Sequence, residues 1–161
     1  MINITANQLW QFSLDFYPKV QTTCLAWQDN FKANVNLLLL VCYLEQQQLS
    51  ISQQTLANLK QCLTTYNIQI TQRVRQLRRK ASCLNTLTKQ QQLQFKQHIL
   101  AIELIAEQQE QQLLVQALSA SINPISHSCS LLLELYLQQL GQPLTRTIQL
   151  NITELRQSFV L

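Results

Sequence analysis

Two histidines, His98 and His127, and five cysteines, Cys24, Cys42, Cys62, Cys83 and Cys129, are the residues of this chain best suited to nucleophilic or metal chemistry. A nucleophile needs a base beside it. Cys129 follows His127 by two positions, and residues two apart do not face each other on a helix. A structural or catalytic zinc needs about four ligands from Cys, His or carboxylate. The histidines lie far apart and no two cysteines form a Cys-x-x-Cys pair, so no ligand spacing emerges. Gly141 is the single glycine, which leaves no glycine-rich loop to cradle a phosphate. The sequence therefore predicts no catalytic residues, no metal and no cofactor, and leans away from an enzyme.

Charged and amide side chains offer more. Glu103, Glu107 and Glu110 recur at steps of four and three, so they share one side of a helix, beside the apolar row Phe95, Ile99, Ile102, Ala106. Carboxylates at the edge of a core need partners. An antiparallel hairpin about Thr86 would bring Arg73 within a turn or so of Glu103. That pairing reads first as a structural ion pair, and second as part of a polar cleft built from Arg73, Glu103, Glu107, Asp29 and Asn36. The set Gln28, Asp29, Asn34 and Asn36 reads first as helix-end capping.

Between Glu45 and Glu103 there are eight basic residues and no acidic one, whereas the remainder holds four basic and eight acidic residues. Five of the eight cluster from Arg73 to Lys80. On a helical wheel Arg75, Arg78 and Arg79 point away from the stripe Ile70, Val74, Leu77, with Arg73 and Lys80 at its borders. This predicts Arg75, Arg78, Arg79 and Lys80 as a basic binding face, with Arg73 turned inward to Glu103. Such a face suits an acidic protein surface or a nucleic acid; the alternative is a solvated helix face.

The elements that must position these residues are helical. Of 161 residues only 12% are charged, one is glycine and three are proline, while 28 are glutamine. Glutamine is a good, uncharged helix former, and sheets need turn residues that are missing here. The periodicity predicts an all-α, single-domain bundle of six or seven helices around a buried third helix. Helix one covers about 5–17 and is stopped by Pro18, or Pro18 starts helix two, which runs to Phe31. Helix three, about 34–47, is apolar nearly all round and therefore central. Ser50 and Ser52 are cap candidates for a fourth helix bearing Leu56, Leu59 and Leu63. Asn67 marks a break before a fifth, with the row Ile70, Val74, Leu77, Ala81, Leu84. The longest helix covers about 89–119, and Asn123–Pro124 opens the last long one, which Gly141 ends. Residues 143–161 form a C-terminal arm, helical near 153–159 or strand-like. The expected core includes Trp10, Phe12, Leu25, Trp27, Leu38, Leu39, Leu59, Leu63, Val74, Leu77, Ile99, Ile102 and Leu132.

The cysteine count is odd, and Cys24, Cys42 and Cys62 sit among core-type neighbours, which suits a reducing cytoplasm. The N-terminus has no basic region followed by an apolar run, so no secretory signal is expected. The most apolar stretch, 35–44, is about half the length that spans a bilayer.

Leu9-Trp10-x-Phe12-Ser13-Leu14, Gln28-Asp29 and Val35-Asn36-Leu37-Leu38-Leu39, followed by Arg75, Leu77-Arg78-Arg79 and Glu103-Leu104-x-Ala106-Glu107, resemble a bacterial, all-helical family of uncharacterised proteins. The resemblance covers about residues 9–118 and departs at 30–34, where a glycine and an aspartate are expected. It implies fold and a cytoplasmic location, and no activity. The functional expectation is a non-catalytic binding or adaptor protein using the basic face on residues 73–80 toward a protein partner with an acidic surface. The alternatives are a nucleic-acid or ribosome-associated protein, and a small-ligand protein or enzyme with a Glu/Arg cleft. The oligomeric state is not legible from the sequence.

Overall fold

The computed structural model describes residues 4–118 and 131–159, and among these the chain is all-α. Its helices are α1 (Ala6–Phe31), α2 (Val35–Gln46), α3 (Gln53–Tyr66), α4 (Gln72–Ala81), α5 (Lys89–Leu118), α6 (Leu132–Gln139) and α7 (Arg146–Gln157), with a π turn at Asn67–Thr71 joining α3 to α4.

Local chemistry accounts for most boundaries. Thr5 and Gln8 form a reciprocal capping box that opens α1, while Asn34, Ser52 and Thr145 cap α2, α3 and α7 with their side-chain oxygens. These contacts satisfy amides that a helix start leaves without a partner. Gly141 ends α6 at φ +70°. There its N–H reaches the Gln138 carbonyl and the Gln142 N–H reaches that of Leu137, the paired bonds of a Schellman cap.

Pro18 neither stops nor starts a helix, contrary to expectation: it lies inside the continuous α1. Proline removes one backbone bond, to the carbonyl four residues back. Pro18 and Leu14 both lie on the exposed side, where water can satisfy the carbonyl that is released. The helix expected third is consequently α2. Every residue from Asn36 to Leu44 is buried in it, with α1, α5, α6 and α7 packed around it. Arg156 of α7 bridges Glu45 of α2 (2.8 Å) and Glu134 of α6 (2.6 Å). Ile148, Ile152 and Leu155 seat α7 on the core, so the helix of the C-terminal segment starts earlier than 153.

Between Leu63 and Leu113 no side chain joins the continuous core. The expected core members Val74, Leu77 and Ile102 therefore fall outside it: Val74 is half-buried, and Leu77 and Ile102 are 48% and 53% exposed. Leu25 is 38% exposed, and Trp10 and Phe12 are half-buried. Cys24 and Cys42 are buried, but Cys62 is exposed. Burial pushes the Cys24 thiol up to about 12 and the Cys42 thiol well above its ordinary range, so both act as small apolar groups.

The π turn explains the displaced stripe. Leu56, Leu59 and Leu63 face the core from α3; in a straight helix that row would continue through Ile70, Val74 and Leu77. A π turn accommodates one extra residue and rotates the downstream helix by about 100°. The inward row becomes Leu63, Asn67, Thr71, Arg75, Arg78, and the apolar row turns out. The α4 helix packs on α5 and on the π turn, and with the first half of α5 it forms a two-helix arm. The expected break at Asn67 is thus a change of helical register.

Candidate functional site

Polar residues brought inward by the π turn meet the carboxylates of α5 one by one. Glu110 is 0% exposed. Its Oε1 accepts from Thr71 Oγ1 (2.6 Å) and Asn67 Nδ2 (2.7 Å), and its Oε2 from Asn36 Nδ2 (2.8 Å) and Asn34 Nδ2 (3.2 Å). Four neutral donors saturate the lone pairs of a buried anion, which is how a carboxylate is tolerated in a dry interior. Beside it, Gln111 Nε2 donates to Ser13 Oγ (2.8 Å) and Asn36 Oδ1 (3.1 Å). Asn34 caps α2 and donates to Glu110 at once, and its backbone N–H donates to the Tyr136 hydroxyl (2.9 Å).

One turn toward the arm, the contacts become ionic. Arg75 Nη2 lies 2.7 Å from Glu107, and its Nε lies 3.2 Å from Glu103. Its Nη1 donates to Gln28 of α1. Arg78 Nε meets the other Glu103 oxygen at 2.7 Å. Burial acts to lower the Arg75 guanidinium, but the hydrogen bond and charge of Glu107, with the charges of Glu103 and Glu110, outweigh it and hold Arg75 above its ordinary value. Burial raises the Glu107 carboxyl above its ordinary value, against the opposing pull of Arg75. A polar cleft of about 450 Å³ opens over this ladder, lined by Gln28, Asp29, Asn34, Asn67, Arg75 and Glu110 among others.

The expected roles of the arginines are therefore exchanged. Arg75 and Arg78 turn inward to the glutamates, while Arg73 is exposed and makes no ion pair with Glu103. The cause is the rotation at the π turn, which no straight wheel contains. Arg79 and Lys80 are exposed. Asp29 is exposed at the edge of the cleft, and Asn36 is buried on Glu110. Sequence reasoning left out Glu110 as the centre of the network, together with Asn67, Thr71, Gln111 and Ser13. The available signal was the polar pair Asn67 and Thr71, four apart in an otherwise periodic helix. His98 is exposed, with Nδ1 2.7 Å from the Gln94 carbonyl. His127, Cys129 and the Asn123–Pro124 cap lie outside the described residues. Among the described residues no group of three His, Cys, Asp or Glu side chains is placed to hold a metal.

The outer side of the arm is apolar and basic. Ile70, Leu77 and Leu84 on the α4 side and Phe95 and Ile102 on α5 are exposed large apolar side chains. Arg73 and Lys80 are exposed beside the α4 row, Arg79 and Lys96 are exposed on the Arg78 side of the hairpin, and Lys89 is exposed at the start of α5; none of the five takes part in the ion pairs seen among the described residues.

A family model described as a protein of unknown function (DUF2390) matches residues 8–114. The chain belongs to this family. The DUF2390 span holds the whole polar ladder and the arm, and it ends before α6 and α7. No curated protein and no solved structure matches the chain. Among the described residues, no helix is long and apolar enough to cross a membrane.

Proposed function

We propose that the chain is a non-catalytic binding or adaptor protein of the cytoplasm, and that it takes a protein partner on the α4–α5 arm. The observation that carries this reading is the exposure of Leu77 and Ile102 with Ile70, Leu84 and Phe95, on an arm that contributes nothing to the continuous core. Large apolar side chains left exposed in two adjacent rows are the kind of surface that serves as an interaction site. The basic rim is Arg73 and Lys80, since Arg75 and Arg78 are engaged with glutamates and Arg79 lines the polar cleft beside Arg75; it favours an acidic partner surface. The polar ladder serves as the rigid support of the arm, because the lone pairs of Glu110 are already occupied.

A second reading, nucleic-acid binding, draws on the five exposed cations of the arm. Phosphate contacts would make it steeply salt-dependent, whereas apolar contact area resists salt. Affinity capture from nuclease-treated lysate, at low and high salt, separates the two. The wild type should retain a protein partner under both conditions, and the double variant Leu77→Ser/Ile102→Ser should lose it. Retention that disappears with nuclease or salt, or equal capture by the variant, contradicts the proposal.

A further inference from the structure

We infer that the occupant of the arm is an amphipathic α-helix of a partner protein with acidic flanks; this rests on the binding role proposed above. The first argument is periodicity. Ile70, Val74, Leu77, Ala81 and Leu84 follow steps of four and three, and so do Phe95, Ile99, Ile102 and Ala106. Each row is the a/d seam of a helix that packs on other helices. The two helices run side by side and pack on each other, with Ala81, Ile99 and Ala106 buried between them and the larger side chains left outside. Two adjacent seams make a groove that a further helix fills with knobs of the same spacing.

Charge decides whose helix it is. Arg73 and Lys80 stand one heptad apart on the border of the α4 seam, about 10 Å along the axis. Both are exposed and outside the ion pairs seen among the described residues. A partner helix with carboxylates seven residues apart beside its apolar seam matches them. A second copy of this arm does not. The carboxylates of the hairpin, Glu103 and Glu107, are turned inward onto Arg75 and Arg78, so a twofold pairing would set cations and glutamines against Arg73 and Lys80. The exposed acidic residues Asp15, Asp29 and Glu154 lie on α1 and α7. None of them borders the apolar rows of the arm, so a second copy that met Arg73 and Lys80 with these acids would leave the two seams unpaired. A nucleic acid offers no apolar seam for Leu77 and Ile102.

The test uses the full chain and fluorescence anisotropy with three probes: a synthetic helix of about three heptads with leucine at a and d and glutamate on the flanks, its lysine-flanked twin, and a single-stranded oligonucleotide. The glutamate helix should bind about tenfold more tightly than the lysine twin at low salt. Arg73→Glu/Lys80→Glu, both at exposed positions, should reverse that order while leaving helicity unchanged, and Leu77→Ser/Ile102→Ser should bind neither peptide. Equal binding of the two peptides, a preference for the oligonucleotide, or sedimentation of the wild type as a dimer that Leu77→Ser/Ile102→Ser dissolves would each overturn the inference. If that serine variant loses the lysate partner but the glutamate helix is not preferred, the binding role stands and the acidic helix falls. If the variant keeps every association, both fall.

Discussion

Thr71 donates its hydroxyl to Glu110 across 2.6 Å, from one helix to another, with both side chains buried. The contact exists because the π turn rotates Thr71 inward, where a regular α-helix would have placed Ile70. From there the register carries Arg75 and Arg78 onto the α5 glutamates and sends Leu77 to the surface. A buried polar contact and an exposed apolar stripe are thus two results of one inserted residue. Single π turns inside α-helices often occur at functional positions.

Glu110→Ala should be severely destabilising. It leaves four donors, from Asn34, Asn36, Asn67 and Thr71, without their acceptor. At about 1–3 kcal/mol for each buried group left unsatisfied, and with some rearrangement, the loss should be on the order of 4 kcal/mol in urea denaturation. A loss under about 1 kcal/mol would mean that Glu110 does not anchor the arm.

Arg75 and Arg73 are two positions apart and should behave oppositely. Arg75→Gln strands Glu107 and part of Glu103 in a partly dry site, and breaking such a pair costs about 3 kcal/mol. Arg73→Gln changes an exposed cation and should fall within about 0.5 kcal/mol. Thermal melts of the two variants decide this, and a more damaging Arg73 substitution contradicts the register described.

Glu107 makes stability depend on pH. Its folded pKa is raised from 4.5, with burial as the largest cause. The native state therefore holds the proton more tightly than the unfolded chain. That favourable contribution is fully present below about 4.5 and is lost as pH rises through the higher folded value. Glu107→Gln cannot titrate, so the stability difference between wild type and variant should shift against the wild type on raising the pH through that window. Urea midpoints measured across it check the sign, and a shift in favour of the wild type would mean that Arg75 outweighs burial at this carboxyl.

Leu77→Ser and Ile102→Ser should leave the isolated chain within about 1 kcal/mol of wild type, because both side chains are already half exposed and lie outside the continuous core. Leu38→Ala, at a fully buried position of α2, should cost about 2–5 kcal/mol. Equal losses at Leu77 and Leu38 would place Leu77 in a core.

Much of the fold was legible because its signals are local. Asn34 and Ser52 are cap residues before apolar runs, the only glycine sits just past a helix end, and 35–44 has no polar face to expose. The polar ladder was legible in part: the glutamate row was visible on one helix side, and an arginine partner was expected. Which arginine, and which face of α4, were not, because both depend on a one-residue shift at Asn67–Thr71 that a fixed 3.6-residue period does not carry. Pro18 failed as a stop signal because its cost is reduced where the released carbonyl faces solvent.

The most direct measurement of the arm's role is photo-crosslinking in cells, with a photoreactive side chain placed in turn at Leu77, at Ile102 and at Leu150. Leu150 lies on α7 and is the most exposed of the three at 62%, so it controls for exposure alone. A binding arm predicts the same discrete protein adduct from Leu77 and Ile102 and none from Leu150. No adduct from the arm, or an identical pattern from all three positions, contradicts it.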